Sequence, residues 1–427
     1  MTKIVVIGGG ASGLAAAVSA ARHDAEVTVL ERGHNLGRKI LASGGGRCNL
    51  GHAHIQPEHY HGGRPAFLRD ALAGFKTAET LRFFTSLGLL TVQEPDGRIF
   101  PRSGKSQTVL DVFKTELDRL SVRQYLGTEA VEVRRAGGGF VVQTAAAGLP
   151  WRKSQGGEAP RPPAQALAAD KVILACGGAA HPQLGAGEAA YALAKALGHT
   201  VTGLSPALVP LCLKSGALTR LHGLRANAAM RIYCAGRESA HSAGEVLFTE
   251  YGLSGPAVLD ISREAARGLA SGPVQGKLNL FPELAASDLK SLLEKRWAIM
   301  ARRPLKDFFI GMFPHQLAGA VMDELGVDAR RTPDSLGREG RERLAALLSG
   351  WDFTVNAARP WSEAMVTAGG ISLDEVDPGD LQSRKTQGIY LTGEMLDVDG
   401  DSGGYNLHFA WASGVMAGLH AAGQRPA

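Results

Sequence analysis

The chain of 427 residues is poor in cysteine: Cys48, Cys176, Cys212 and Cys234 are widely spaced and form no C-x-x-C pair. That excludes a disulfide framework and a cysteine-ligated zinc site, and it suits a reducing compartment. No apolar run approaches the ~18 residues of a membrane span. The early stretch Ile4–Ile7 is cut by Gly8-Gly9-Gly10 and followed by Ser12, which leaves no continuous signal-peptide core. Long blocks of one charge sign are also missing. The formal charge of +5 and pI near 9.0 permit an anionic partner such as RNA without demanding one. There is no H-E-x-x-H, no Walker glycine loop and no Ser-His-Asp spacing, so metallohydrolase, NTPase and serine hydrolase readings fall away. The expectation is a soluble cytoplasmic protein.

Glycine is what the chain has in excess, with 55 residues, roughly twice the usual ~7%. Most of the surplus sits in GG and GGG clusters bordering apolar runs, where backbone can come close to a flat or phosphorylated ligand. With 44% hydrophobic and 20% charged residues, the composition is that of a folded protein of two or three domains.

Residues 3–7 and 26–31 read as buried strands around an alanine-rich helix at 12–23, a βαβ beginning. Helical texture follows at 66–88 and 107–120. An alternating pair, 129–135 and 139–144, reads as an antiparallel meander, and 171–176 as another buried strand. Residues 145–169 read as a surface loop. Beyond 200 the texture changes to short strands and then, over 283–350, to helices broken at Pro304, Pro314 and Pro333. Near 360 glycine-rich strands return, and a last helix begins near Tyr405. The expected fold is α/β: a Rossmann-like nucleotide-binding domain, parallel sheet plus β-meander, with an inserted lobe of strands followed by helices. Its parts are 1–200, a β-rich insert at 201–282, a helical insert at 283–358, and 359–427.

The chemistry starts at Gly8-Gly9-Gly10-Ala11-Ser12-Gly13, a G-x-G-x-x-G between strand and helix. Gly8 allows the tight turn, Gly10 lets a pyrophosphate approach, and Gly13 lets the helix pack closely on the strand. Glu31 ends the next strand, where a carboxylate accepts hydrogen bonds from ribose hydroxyls. Downstream, Arg38, Lys39 and Arg47 flank Gly44-Gly45-Gly46. This arrangement favours FAD over NAD, since cations there neutralise a diphosphate or an anionic reduced flavin. Gly403-Gly404 before the last helix supplies free N–H donors for the flavin pyrimidine edge. A second G-x-G-x-x-A, at Gly185, Gly187 and the alanines after it, is not directly preceded by a strand, so no nicotinamide site is expected there.

The segment Ser43-Gly44-Gly45-Gly46-Arg47-Cys48-Asn49 resembles the BaiN/RdsA-like flavoproteins, within the glutathione-reductase-like two-dinucleotide-binding flavoproteins. Matching stretches include Ala175-Cys176-Gly177-Gly178, Phe248–Pro256, Thr367–Gly370 and Thr392–Leu407. Relatives more often read G-S-T-G-D-G-Y where Gln183–Ala189 stands here, and the 145–169 stretch looks like an addition. Beyond the residues above, the resemblance implies FAD contacts at Ala11, Ser12, Arg32, Ser43, Cys48, Asn49, Val131, Ala175, Gly177, Gly178, Gly393, Glu394, Asp401, Tyr405, Asn406 and Leu407. An acidic residue of the last segment is expected to address the ribityl chain.

For the reaction, the resemblance implies reduction of a C=C bond conjugated to a carbonyl: in one branch on oxo-steroid bile acids, in another on a uridine of large-subunit rRNA, giving dihydrouridine. The rRNA uridine is the preferred substrate here. The basicity agrees, as do Lys295, Arg296, Trp297, Arg302, Arg303, Lys306, Phe308 and Phe309 in the insert; the same run also reads as an amphipathic helix with an aromatic core. The alternatives are a small-molecule enone reductase or amine oxidase, and an FAD-binding sensor without turnover. An external donor such as NAD(P)H is expected to supply electrons. Cys48 is the leading candidate for the general acid, with His181, His222 and Tyr405 behind it.

Overall fold

The computed structural model describes residues 1–148, 163–185 and 187–424. Strand β1 (Lys3–Ile7) and strand β2 (Glu26–Glu31) pair in parallel around helix α1 (Ala11–Ala21). Both strands are β-branched and almost wholly buried, as strands covered on two faces must be. Strands β3 (Arg123–Leu126), β4 (Lys171–Leu174) and β5 (Ile389–Leu391) complete a parallel sheet in the order β5-β4-β1-β2-β3. The C-terminal part of the chain thus supplies an edge strand to a sheet nucleated by the first residues. Helix α2 (Tyr405–Ala421) lies against α1, and its Trp411 is fully buried against Phe84 and Phe113.

Contacts divide the chain into two units: Met1–Ser205 with Met365–Ala427, and Pro206–Ala364. In the second unit six strands close a barrel: Leu211–Leu213, Gly252–Ser254, Arg237–Thr249, Arg225–Cys234, Val274–Asn279 and Trp351–Ala358. The expected division of the insert into a β-rich part and a helical part does not appear. Trp351–Ala358 comes after the helices, pairs with both Val274–Asn279 and Leu211–Leu213, and seals the barrel. Helix residues Leu289, Leu293 and Leu344 share one apolar core with barrel residues Met230 and Phe248. A strand needed for closure holds strands and helices together.

Two local differences have simple causes. The helical stretch at 66–88 is two helices, Pro65–Ala73 and Thr77–Ser86, separated at Gly74. Within the expected loop, Ala166–Ala169 extends the meander as a third antiparallel strand; residues 149–162 of that loop lie outside the described residues. No helix among the described residues is long and apolar enough to cross a membrane.

Candidate functional site

Between β1 and α1 the backbone makes the close approaches that only glycine allows. Gly8 takes φ +111°, and a Cβ there would lie 2.3 Å from the Ala175 carbonyl oxygen. A Cβ on Gly13 would lie 1.9 Å from the Gly8 carbonyl oxygen. Gly10 is different: a Cβ there would meet nothing within 4 Å, so the space over it is open. Helix α1 has no acidic residue in its first turn and no side-chain cap. Its first N–H groups, Ala11 and Ser12 among them, have no intrahelical acceptor, and the positive end of the helix adjoins the open space over Gly10.

Glu31 is anchored by this same turn. Its carboxylate accepts the Gly9 N–H at 2.8 Å and the Gly33 N–H at 2.5 Å. Burial pushes its pKa up, while these two N–H groups, Arg38 and Arg32 oppose the rise. Lone pairs remain on both oxygens for a diol. Arg32 lies 3.7 Å from Glu129 and has a buried Nε that, among the described residues, has no partner. Arg38 donates to the Gln183 carbonyl at 2.9 Å, and a Cβ on Gly185 would sit 3.6 Å from its guanidinium. The second glycine pattern therefore closes the Glu31 corner. Val131 sits at a bulge: the ladder steps from Ala130 to Glu132, leaving Val131 out of register with its side chain half exposed.

The cations are less available than their sequence suggests. Lys39 pairs with Glu394 at 2.6 Å, and Arg47 pairs with Glu94 at 2.7 Å while stacking on Phe100. Among the described residues, only Arg38 of the three is bonded to a carbonyl rather than to a carboxylate. Glu394 is also committed through its other oxygen, which accepts the Thr367 N–H and hydroxyl, each at 2.9 Å. The Thr367 hydroxyl in turn accepts the N–H groups of Ala179 and Ala180. Gly178 has no room for a side chain beside this knot, for a Cβ would lie 2.4 Å from Thr367 Oγ1. Ala175 is buried, whereas Gly177 at φ +75° borders open space.

Gly44, Gly45 and Gly46 are exposed at φ +56°, +64° and +86°, and a Cβ on Gly45 or Gly46 would meet nothing within 4 Å. The Ser43 hydroxyl is used locally, donating to the Ile40 carbonyl. Cys48 corrects the leading expectation for an acid. It is covered by protein on every side, at 0% exposure, and burial pushes its thiol up to about 12. A group that no ligand can touch donates no proton to one. Asn49 beside it keeps a buried Oδ1 that, among the described residues, has no hydrogen-bond donor.

At the start of α2, Gly403 and Gly404 take φ +125° and +105°, and a Cβ on Gly404 would lie 2.6 Å from both Asn49 Oδ1 and the Gly51 carbonyl oxygen. This helix likewise has no acid in its first turn and no side-chain cap. Gly393 takes φ +65° and donates to Ser413 at 2.9 Å. Four expected contact residues have other work. Asn406 brackets the Gly400 peptide with both ends of its amide, at 2.8 and 2.7 Å. Asp401 is held by His59 at 3.1 Å and His61 at 2.8 Å. Tyr405 is buried, its ring stacked between those of His52 and His59, and Leu407 is half-buried against the core. His181 caps the short turn Pro182–Leu184 in the left-handed region, and His222 is exposed at the end of a turn in the second unit. Sequence reasoning missed Thr367 as a tether and the histidines around Asp401. The available signal was the density of His52, His54, His59 and His61 within ten residues.

Residues 2–420 match the HI0933-like protein Rossmann domain family. The chain belongs to this family. It is 37% identical, over the full length of both chains, to the 3-dehydro-bile acid delta(4,6)-reductase of Clostridium scindens. It is also 28% identical to the ribosomal RNA dihydrouridine synthase of Escherichia coli, over 96% of this chain and 95% of the relative. The Haemophilus influenzae protein of the same name is 27% identical over 97% of each. As an HI0933-like protein the chain is an oxidoreductase with FAD as its cofactor. The residues present fit that group: an unneutralised helix start over an open Gly10, an anchored carboxylate at Glu31, open glycines at 45 and 46, and an Asn49 oxygen lacking a donor.

Proposed function

We propose that this HI0933-like protein reduces a C=C bond conjugated to a carbonyl group. The observation that carries the reading is the end-to-end 37% identity to a bile acid delta(4,6)-reductase, joined to a site whose donors suit FAD. Bound FAD supplies hydride chemistry. The chain's own residues hold and orient it. The first turn of α1 with Gly10 takes the pyrophosphate, Glu31 the adenosine ribose, and the Val131 bulge offers free backbone groups beside it. The open Gly44–Gly46 arc allows a flat ring to come close, and the first N–H groups of α2 hold negative charge at that ring's polar edge. Lys39 and Glu394, neutralising one another, present a polar but uncharged wall to the linker between phosphates and ring. Electrons enter from an external donor such as NAD(P)H.

A fused-ring enone is the substrate class best supported. The aromatics that would stack on RNA bases, Trp297, Phe308 and Phe309, are buried at 4%, 0% and 0% exposure. Arg296 is also internal in role, donating to the Phe308 and Ile310 carbonyls. A second reading, an rRNA uridine, is favoured by Arg302, Arg303 and Lys306, which are exposed and, among the described residues, make no ion pair. Such cations suit phosphate contact without base readout. The deciding experiment reduces the FAD-loaded enzyme anaerobically with light and mixes it with a 3-oxo-Δ4 steroid, while rRNA from a deletion strain is analysed by mass spectrometry. Rapid reoxidation by the steroid with unchanged dihydrouridine supports the enone. Loss of one dihydrouridine supports the RNA, and neither response refutes the reductase reading.

A further inference from the structure

We propose that His59 is the proton donor of this reduction and that Asp401 is its positioning residue. The proposal rests on the reading of the chain as a C=C reductase. Asp401 lies just before the Gly403-Gly404 turn that opens α2, and its two oxygens are occupied by His59 Nδ1 at 3.1 Å and His61 Nε2 at 2.8 Å. The His59 ring is stacked on Tyr405, the first residue of α2, with centroids 4.4 Å apart and planes 21° from parallel. Two independent contacts therefore fix this imidazole at the uncapped start of α2.

The tautomer follows from the pairing. A carboxylate accepts, so Nδ1 of His59 carries the hydrogen toward Asp401, and Nε2 is the nitrogen that gains and gives up a proton. Among the described residues that Nε2 has no hydrogen-bond partner, and the side chain is 37% exposed, which leaves the nitrogen open to proton exchange with solvent. His52, on the opposite face of Tyr405, is tied at both nitrogens: Nδ1 accepts the His54 N–H, so Nε2 donates to the Asp96 carbonyl. His61 spends Nε2 on Asp401. The titratable groups facing His59 are Asp401, His61 and Tyr405, with Glu58 beside it in the chain and His52 across the Tyr405 ring.

The reaction balances with these parts. The β-carbon of the conjugated carbonyl would receive a hydride, one hydrogen with two electrons, which FAD would supply when bound and reduced by the external donor. The former π pair forms the new bond at the α-carbon with the proton from His59 Nε2. His59 is left neutral and regains a proton from water.

The test uses the full-length FAD-loaded protein and its His59→Gln and Asp401→Asn variants. Nitrogen-15 spectra of labelled histidine are expected to show the Nδ1–H form at His59 in the native protein and a mixture in Asp401→Asn. After photoreduction, reoxidation is followed with two probes: a 3-oxo-Δ4 steroid or a uridine-containing rRNA fragment, which need a proton at carbon, and ferricyanide, which does not. His59→Gln is expected to slow the carbon substrate by roughly 100-fold or more, to leave the ferricyanide rate and FAD affinity unchanged, and to remove the native pH dependence of the carbon step. Asp401→Asn is expected to slow the same step less, and it answers the question even where His59→Gln folds poorly. Equal rates in native and variant proteins overturn the proposal alone. A native enzyme that neither carbon substrate reoxidises overturns the reductase reading, and the proposal falls with it.

Discussion

At the scale of single residues, burial sorts chemistry from packing. Cys48 sits in the segment that marks the resemblance to the family, yet its thiol is enclosed and pushed from its ordinary 9.0 to about 12. The unfolded chain loses this proton near pH 9 and the folded chain only near 12, so stability is intact below pH 9 and drains away as pH rises toward 12. Cys48→Ala should remove that part of the alkaline loss. The drop in unfolding free energy between pH 7.5 and 10 should shrink by about 1 kcal/mol, as read by urea titration. The same variant should keep its FAD and its substrate reoxidation rate, since the thiol touches neither. Rapid labelling of Cys48 by iodoacetamide in the folded protein would contradict this account.

At the scale of elements, the pair α1 and α2 carries the site from opposite ends of the chain. They come close because α2 presents glycine where α1 presents backbone: a Cβ on Gly414 would lie 2.2 Å from the Ser12 carbonyl oxygen, and one on Gly418 would lie 2.3 Å from that of Ala16. Helix propensity favours alanine over glycine by about 1 kcal/mol, but the clash is with main chain and has nowhere to go. Gly418→Ala should therefore lose about 1–3 kcal/mol net, seen as a lower Tm with weakened FAD retention. His408, on the same helix, is fully buried between the Thr80 hydroxyl and the Phe75 carbonyl, and burial lowers it to about 4. A base whose folded pKa lies below its unfolded 6.5 costs stability once the unfolded chain can bind a proton. Its contribution is whole above pH 6.5 and is lost as pH falls toward 4. By pH 5 the loss should reach about 2 kcal/mol. His408→Gln, less stable at pH 7, should show a flatter acid limb in thermal unfolding.

At the scale of the whole molecule, the first unit is assembled from both chain ends around an insertion. The strand-like segments flanking the insert run side by side: Val201 bridges Ile371, and the Thr202 N–H donates to the Gly370 carbonyl at 2.8 Å. The chain leaves and re-enters this unit at neighbouring points, so replacing Pro206–Ala364 with a short Gly-Ser linker should leave a folded unit that binds FAD. Far-UV circular dichroism and flavin fluorescence quenching check this. An unfolded product would show that the insert is required for the parallel sheet.

The βαβ entry, the roles of Gly8 and Gly13, the placing of Glu31 at a strand end and the α/β class were all legible in the sequence, because strand, turn and helix are local and steric. The return of the C-terminal region to the same sheet was legible from its glycine-rich texture. What only folding decided is which charged and reactive groups remain free. Lys39 meets a carboxylate 355 positions away, Asp401 meets histidines 340 and 342 positions away, and Cys48 is closed over by the core. Spacing along a chain fixes the backbone of a motif. Whether its side chains are spent on partners or left for chemistry is set by what distant segments bring beside them.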